Sequence, residues 1–352
     1  MSRHSTEYDD DDFSMDDDSC SVASSCMNGA RSVSTTATSH DWEMRSASPA
    51  PSMYSVTSSF YGRGINNYSD VYRLPADDEE FERLDLQHVM FSEVMGRYAQ
   101  PLPEVLADDG RPKAVVDLGC GSGSWILDVA KDFPHCSAVA VDLVPMQNVS
   151  EVDDINLGLQ HFYDSFDVAH ARLVSSGIRD YNGLIDEMTQ TLRPRGLIHL
   201  IEFDFRVYDS KHRPILPAHG GPKEPAALAR WMNLVNVAVE QRGGEPDAAN
   251  HLQRWITAHP SLEDVVYREF WFPTCPWARG TTPEALRHNR TGAMMRDDIL
   301  AFLKSGRPLL LSSDLNPDLV AEIEADAERE LLEAKAHTYI RVQNVYARRK
   351  AQ

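Results

Sequence analysis

Val115-Val116-Asp117-Leu118-Gly119-Cys120-Gly121-Ser122-Gly123-Ser124-Trp125 decides the fold. Ala114–Leu118 is a short, β-branched apolar run and reads as a buried strand. Three alternating glycines follow, which let a backbone turn tightly and approach a ligand closely. Ser124–Phe133 has helical spacing and stops at Pro134. The start of such a helix offers unpaired N–H groups and the positive end of a dipole. Ser137–Asp142 is the next strand, and Asp142 stands at its end, nineteen residues past Gly123. An acid there accepts hydrogen bonds from ribose hydroxyls.

The dinucleotide fingerprint GxGxxG fails here, because its third glycine falls on Ser124. The spacing is Asp-x-Gly-x-Gly-x-Gly, and the carboxylate beside the turn suits a cation better than a pyrophosphate. This stretch resembles motif I of the class I S-adenosylmethionine-dependent methyltransferases. The resemblance implies S-adenosyl-L-methionine as cofactor, Asp117 facing its methionine moiety, and Gly119, Gly121 and Gly123 forming the turn beside it. Val152-Asp153-Asp154-Ile155 looks like the family's third-strand motif. By that resemblance Asp154 contacts the adenine amino group, with Asp153 as the structural alternative. Phe166–Arg172 looks like the fourth strand and its exit, and Leu192–Ile198 like the turn into the fifth. Arg195 and Leu197 depart from the family's usual Pro-Gly-Gly. Leu84–His88, Asp117–Trp125, Glu151–Asp154, His170–Arg172 and Gly177–Tyr181 together look like a fungal secondary-metabolism branch, over roughly residues 70–350. That branch contains the velvet-associated regulator and methyltransferases of biosynthetic clusters.

Working outward, short strands and helices alternate through Tyr181–Leu192 (helix) and Leu197–Phe203 (strand). Alternation of this kind predicts a parallel sheet covered on both faces. Phe81, Leu84, His88, Phe91, Met95 and Tyr98 recur at helical steps before Pro101 and Pro103. Later come the helices Pro225–Arg242, Pro246–Ala258, Pro283–Leu303 and Pro317–Ala336, with strands at Asp264–Phe272 and Thr338–Ala347. The expected fold is a Rossmann-like α/β methyltransferase: a doubly wound, mostly parallel sheet with an antiparallel edge strand and a helical cap. The cap insertions fall at about 210–262 and 278–336 of a 76–352 domain. One link is unusual. Leu143–Val149 must join two parallel strands, a crossover that usually takes about 10–12 residues and a helix. The adenine-covering segment therefore reads as truncated, through a more open pocket or residues missing from the gene model, and a cofactor-binding relic is one reading of the chain.

Charge separates the ends of the molecule. The 352 residues carry 54 acidic and 34 basic side chains, a net charge of −20. Residues 1–80 account for 15 acidic and 5 basic groups, half of that excess. Residues 1–60 hold 21 Ser and Thr with little apolar content, so residues 1–75 read as a disordered acidic segment that could engage a protein partner. An acidic chain is a poor nucleic-acid binder. No apolar stretch reaches the roughly 18 residues of a membrane span, and no signal-peptide h-region opens the sequence. Five cysteines without a CxxC pair argue for a reducing compartment and no metal site. The expected location is cytoplasmic, with the nucleus as the alternative.

For chemistry, His170 and Glu202 are the candidate catalytic residues, as base or acceptor contacts at strand exits. His199 reads as structural, and His88 as packing on a helix that also carries Gln87. Trp231, Trp255, Trp271, Trp277, Met294 and Met295 suit an apolar lid over a small organic acceptor, or an ordinary core. Arg290, near His288, could pair with an acceptor carboxylate. The expected activity is methylation, at oxygen, of a small carboxylate, enol or phenol. The alternative is a nuclear methyltransferase-like regulator acting on gene expression through partners.

Overall fold

The structure, a computed structural model, describes residues 57–145, 150–216 and 226–351. A hairpin (β1, Thr57–Phe60; β2, Arg63–Asn66) precedes helices α1 (Asp78–Met95) and α2 (Leu102–Val105). Seven further strands form one sheet: β3 (Lys113–Leu118), β4 (Cys136–Asp142), β5 (Ser150–Val152), β6 (Phe166–Arg172), β7 (Leu192–Tyr208), β8 (Leu262–Pro273) and β9 (Tyr339–Arg349). Their order across the sheet is β5-β4-β3-β6-β7-β9-β8. Strands β5 to β7 all run parallel, and β9 runs antiparallel to both β7 and β8. The antiparallel pairing therefore sits at the sheet edge, as the sequence suggests. Helices α3 (Ser124–Asp132), α4 (Tyr181–Thr191), α5 (Ala227–Gln241), α6 (Leu252–Ala258), α7 (Pro283–Leu311) and α8 (Pro317–Glu333) are the other α-helices among the described residues.

Strand β3 shows why the sheet is covered on both faces. Val115 packs with Val168, Leu197, Trp125 and Val129 on one side, while Val116 and Leu118 pack with Ala169, Ile198, Ile185 and Met188 on the other. A strand apolar on both faces is stable only between two layers of helix. A third core lies in the cap, where α5, α7 and α8 close around the fully buried Trp231. The strand order reverses between β3 and β6, and open α/β sheets bind ligands at the carboxyl ends of strands at such a switch point.

Three expectations change. The N-terminal boundary moves, because residues 57–75, read as part of the tail, belong to the folded unit. Ile65, Val71 and Leu74 are buried there. Asp77 ties the segment down: it pairs with Arg63 at 2.8 Å and caps α1 by accepting the Glu80 amide at 3.1 Å. Asn66 holds the next turn, accepting the Ser69 amide and donating to the Tyr72 carbonyl. Residues 1–56 lie outside the described residues.

The short link also fits more easily than expected. Strand β5 has three residues, and Ser150 pairs beside Ala140, two residues before the end of β4. The chain has to return only about 7 Å along the strand and about 5 Å across, well inside the ~25 Å reach of seven residues. Positions 146–149 of the link lie outside the described residues. Finally, α7 runs to Leu311 rather than stopping at Leu303. Gly306, inside the helix, serves close packing: a Cβ there would lie 2.6 Å from the Trp231 ring.

Candidate functional site

The turn after β3 is built by backbone geometry before any side chain acts. Gly119 and Gly121 have φ of 70° and 57°, a region other residues avoid. A Cβ at Gly119 would sit 2.5 Å from Val174, and one at Gly121 would sit 2.8 Å from Leu84. The amides of Gly119 and Cys120 donate to the Val141 carbonyl, which locks the turn against β4. Gly123, also at positive φ, is the residue before α3. Asp142 finishes the fastening: its two carboxylate oxygens accept the Gly121 amide at 2.8 Å and the Val144 amide at 3.1 Å.

A large cavity opens beside this turn. Counting the solvent space of its open mouth it spans about 1540 Å³. Asp117, Gly119, Gly121, Asp142, Asp153, Asp154 and His170 all line it, so the sequence-predicted residues converge. Gly123 is not in the lining and acts as the helix entry. Asp154 caps the turn Ile155–Leu157, its Oδ1 accepting from the Asn156 amide at 3.0 Å and side chain at 2.8 Å. Asp153 faces His161 at 3.4 Å.

The charges beside the turn are set by burial. Asp117 is buried and its carboxyl is pushed up to about 7, while Asp142 is pushed up to about 6 by the same cause. His170 is fully buried, which lowers its pKa well below the usual value and keeps the ring neutral. Its Nδ1 lies 2.8 Å from Asp117, and the ring stacks on Trp125 with centroids 3.7 Å apart. With Asp117 ionised, Nδ1–H is the donor and Nε2, which has no partner among the described residues, carries the free lone pair. His199 lies next to it, buried, with centroids 5.0 Å apart.

Glu202 departs from its expected position. It does not line the cavity; it is buried below the loop that leaves β6. Its Oε1 accepts the amides of Val174 and Ser175 and the Tyr181 hydroxyl, and burial pushes its carboxyl up to about 7. Val174 and Ser176 do line the cavity, so Glu202 shapes the wall from behind.

Several lining residues escape sequence reading. Arg172 ends β6 beside Asp117, donates to His88 Nδ1 at 3.2 Å, and lies over the Phe91 ring. His88 passes its other nitrogen to Asp128 at 3.1 Å, which makes it a polar link rather than packing alone. Tyr72, Leu74 and Ala76 contribute from the N-terminal strap. The opposite wall is apolar: Phe203, Phe205, Met232, Met295, Ile299 and Phe302. Of the residues expected to form the lid, only Met295 faces the cavity. Trp231 is cap core, Trp255 stacks on Tyr181, and Trp271 and Trp277 gather around Tyr339 with His288 beside Trp277. Arg290 pairs with Glu93 at the surface instead of facing an acceptor.

A family model described as a methyltransferase domain matches residues 87–255. Over 300 residues the chain is 43% identical to the secondary metabolism regulator laeA of Coprinopsis cinerea, covering 82% of this chain and 73% of that protein. The chain belongs to this methyltransferase family. It is also 26% identical over 292 residues to methyltransferase pytC of Aspergillus terreus, covering 79% of this chain and 83% of that one. Among solved structures, a sarcosine dimethylglycine methyltransferase described as putative, from Galdieria sulphuraria, covers 77% of this chain and 87% of its own at 12% identity and a TM-score of 0.40.

The methyltransferase uses S-adenosyl-L-methionine, and the site fits that cofactor. A Cβ at Gly119 or Gly121 would crowd the turn, and the half-buried Asp142 carboxylate keeps lone pairs beyond its two amide donors. The methyltransferase should bind the cofactor more weakly as pH falls. Asp142 and Asp117 lose their negative charge as pH drops through about 6 and about 7. A group titrating at about 6 is protonated about ten to one at pH 5, so affinity should fall by about tenfold or more between pH 8 and pH 5. Calorimetric titration with S-adenosylhomocysteine measures this, and a flat profile would exclude the two carboxylates as cofactor contacts.

Proposed function

We propose that this methyltransferase methylates a small organic acceptor at oxygen in fungal secondary metabolism. The observation that carries the reading is one cavity with two unlike walls, a glycine turn with carboxylates on one side and an apolar cap on the other. In this reading Asp142 takes the ribose hydroxyls and Asp154 the adenine amino group. Asp117 pairs in register with His170, and Arg172 stands two residues further along β6, near enough for its charge to act on Asp117; in this reading the two take the ammonium and carboxylate of the methionine end. The cofactor supplies a methyl group on a sulfonium. The chain supplies position, which by itself removes a large part of a displacement barrier. His170 then acts by orienting Asp117, and Glu202 by fixing the loop after β6.

A second reading is favoured by the 43% identity to a protein named as a secondary metabolism regulator. In it the domain acts on gene expression through protein partners, and residues 1–56 are the segment that recruits them. One assay separates the two. The full chain, and a chain lacking residues 1–56, are incubated with methyl-labelled cofactor and an extract of acidic and phenolic metabolites. Label should enter an organic-soluble product with both. Absence of turnover with both would sink the small-molecule reading. The cut falls at 56 because Tyr72 and Leu74 line the cavity.

A further inference from the structure

The apolar wall of the cavity carries a single ionisable side chain from the cap helices among the described residues, Asp298 on α7. It lies between Met295 and Phe302, which face the same space. Two donors on α1 hold it in place: Arg83 Nη1 donates to Oδ1 at 2.7 Å, and Gln87 Nε2 to Oδ2 at 3.1 Å. Its side chain is only 10% exposed. A carboxylate has about four lone-pair sites, so Oδ2 keeps capacity that no protein donor uses. Arg83 is shared with Glu80, itself 2% exposed. The group of three therefore holds two carboxylates and one guanidinium, and leaves that wall with excess negative charge when both acids are ionised. Arg172, whose partner is a histidine rather than a carboxylate, stands across at the end of β6 beside Asp117.

We infer that Asp298 selects the acceptor: its Oδ2 accepts a hydrogen bond from the hydroxyl of a neutral, largely apolar phenol or enol, and its charge turns away carboxylic acids. This rests on the small-molecule reading above and narrows it from three acceptor classes to hydroxyl compounds. A carboxylate brought to this wall would meet Asp298 with Arg83 already neutralised, and like charges in a desolvated site repel. A hydroxyl instead supplies a second donor to Oδ2, beside Gln87. Burial raises the Asp298 carboxyl above its ordinary value despite Arg83, which makes it a better hydrogen-bond acceptor once ionised.

The test uses the full chain saturated with S-adenosylhomocysteine and three probes of one shape: 2-naphthol, 2-naphthoate and 2-(aminomethyl)naphthalene. Naphthol should bind at least about tenfold more tightly than naphthoate. In Asp298→Asn that preference should collapse, because the amide no longer repels a carboxylate, while S-adenosylhomocysteine affinity is unchanged. Gln87→Leu, which leaves the Arg83 pairing intact, should lower the preference in the same direction. Naphthoate or the amine binding best to the native chain would overturn the inference. So would an unaltered preference in both variants. Failure to bind S-adenosylhomocysteine would instead strike the cofactor assignment, so the two failures can be told apart.

Discussion

Asp142→Ala should lower cofactor affinity by about a hundredfold or more, with a much smaller loss of thermal stability. The carboxylate has two jobs that alanine abolishes together. It holds the Gly121 amide and the Val144 amide, which sets the glycine turn against the strand below. Both hydrogen bonds go to a charged acceptor, but they are offset by the freedom that the glycines lose and by the burial that pushes the carboxyl up to about 6, so their loss loosens the turn more than the fold. It is also the group expected to receive the ribose hydroxyls. Asp142→Asn keeps one acceptor oxygen and should recover part of the affinity. Calorimetry with S-adenosylhomocysteine reads the effect directly, and wild-type affinity in the alanine variant would refute the assignment.

Arg83→Met should destabilise the fold more than Asp142→Ala, Asp298→Asn or Gln87→Leu. Arg83 lies between Glu80 and Asp298, and its own side chain is 9% exposed. Burial alone would weaken the guanidinium charge, but the two carboxylates more than offset this and raise its pKa. Removing it leaves two buried acids without a counter-ion, a change that costs about 3–5 kcal/mol, or a Tm fall on the order of ten degrees. Arg83→Lys should rescue only partly, since one ammonium cannot reach two carboxylates as a planar fork does. Thermal denaturation followed by circular dichroism checks both variants. An unchanged Tm for methionine would mean that the acids are neutral in the native fold. The same substitution removes one of the ties between α1 and α7, leaving those of Gln87 to Asp298 and Ser305 to Glu80, so acceptor binding should suffer more than cofactor binding.

The half of the site made by consecutive residues is legible in the sequence. Asp117, the glycines, Asp142 and Asp154 lie on or just after strands whose apolar runs are unambiguous, and local spacing places them together. The half made by distant residues is not. Asp298 and Arg83 are 215 positions apart, and no pattern in either helix announces that they meet. Helix α1 shows the physical reason. Its inward face buries Glu80, Arg83 and Gln87 beside Phe91, while Leu86 and Val89 are exposed. Apolar periodicity assumes that polar groups face water, and a polar cavity wall inverts that rule. The strap before α1 escapes the same rule for a related cause. Its order comes from side chains clamping backbone, as Asn66 and Asp77 do, more than from a hydrophobic repeat. The aromatic residues of the cap are plain to see in the sequence, but which of them face the cavity depends on helix packing that spacing does not encode.

Strand β9 carries a consequence for how the molecule is made. Residues 339–349 are the last strand in the sequence, yet they lie between β7 and β8. A growing chain on the ribosome has β7 and β8 complete while the slot between them stands empty, each presenting a bare edge able to pair with a neighbouring chain. Ile340 and Val342 also form part of the cavity wall, so the binding site cannot close before the sheet does. A premature stop a few codons upstream of residue 339 would therefore yield a chain with every cofactor residue present and an aggregation-prone gap through its sheet.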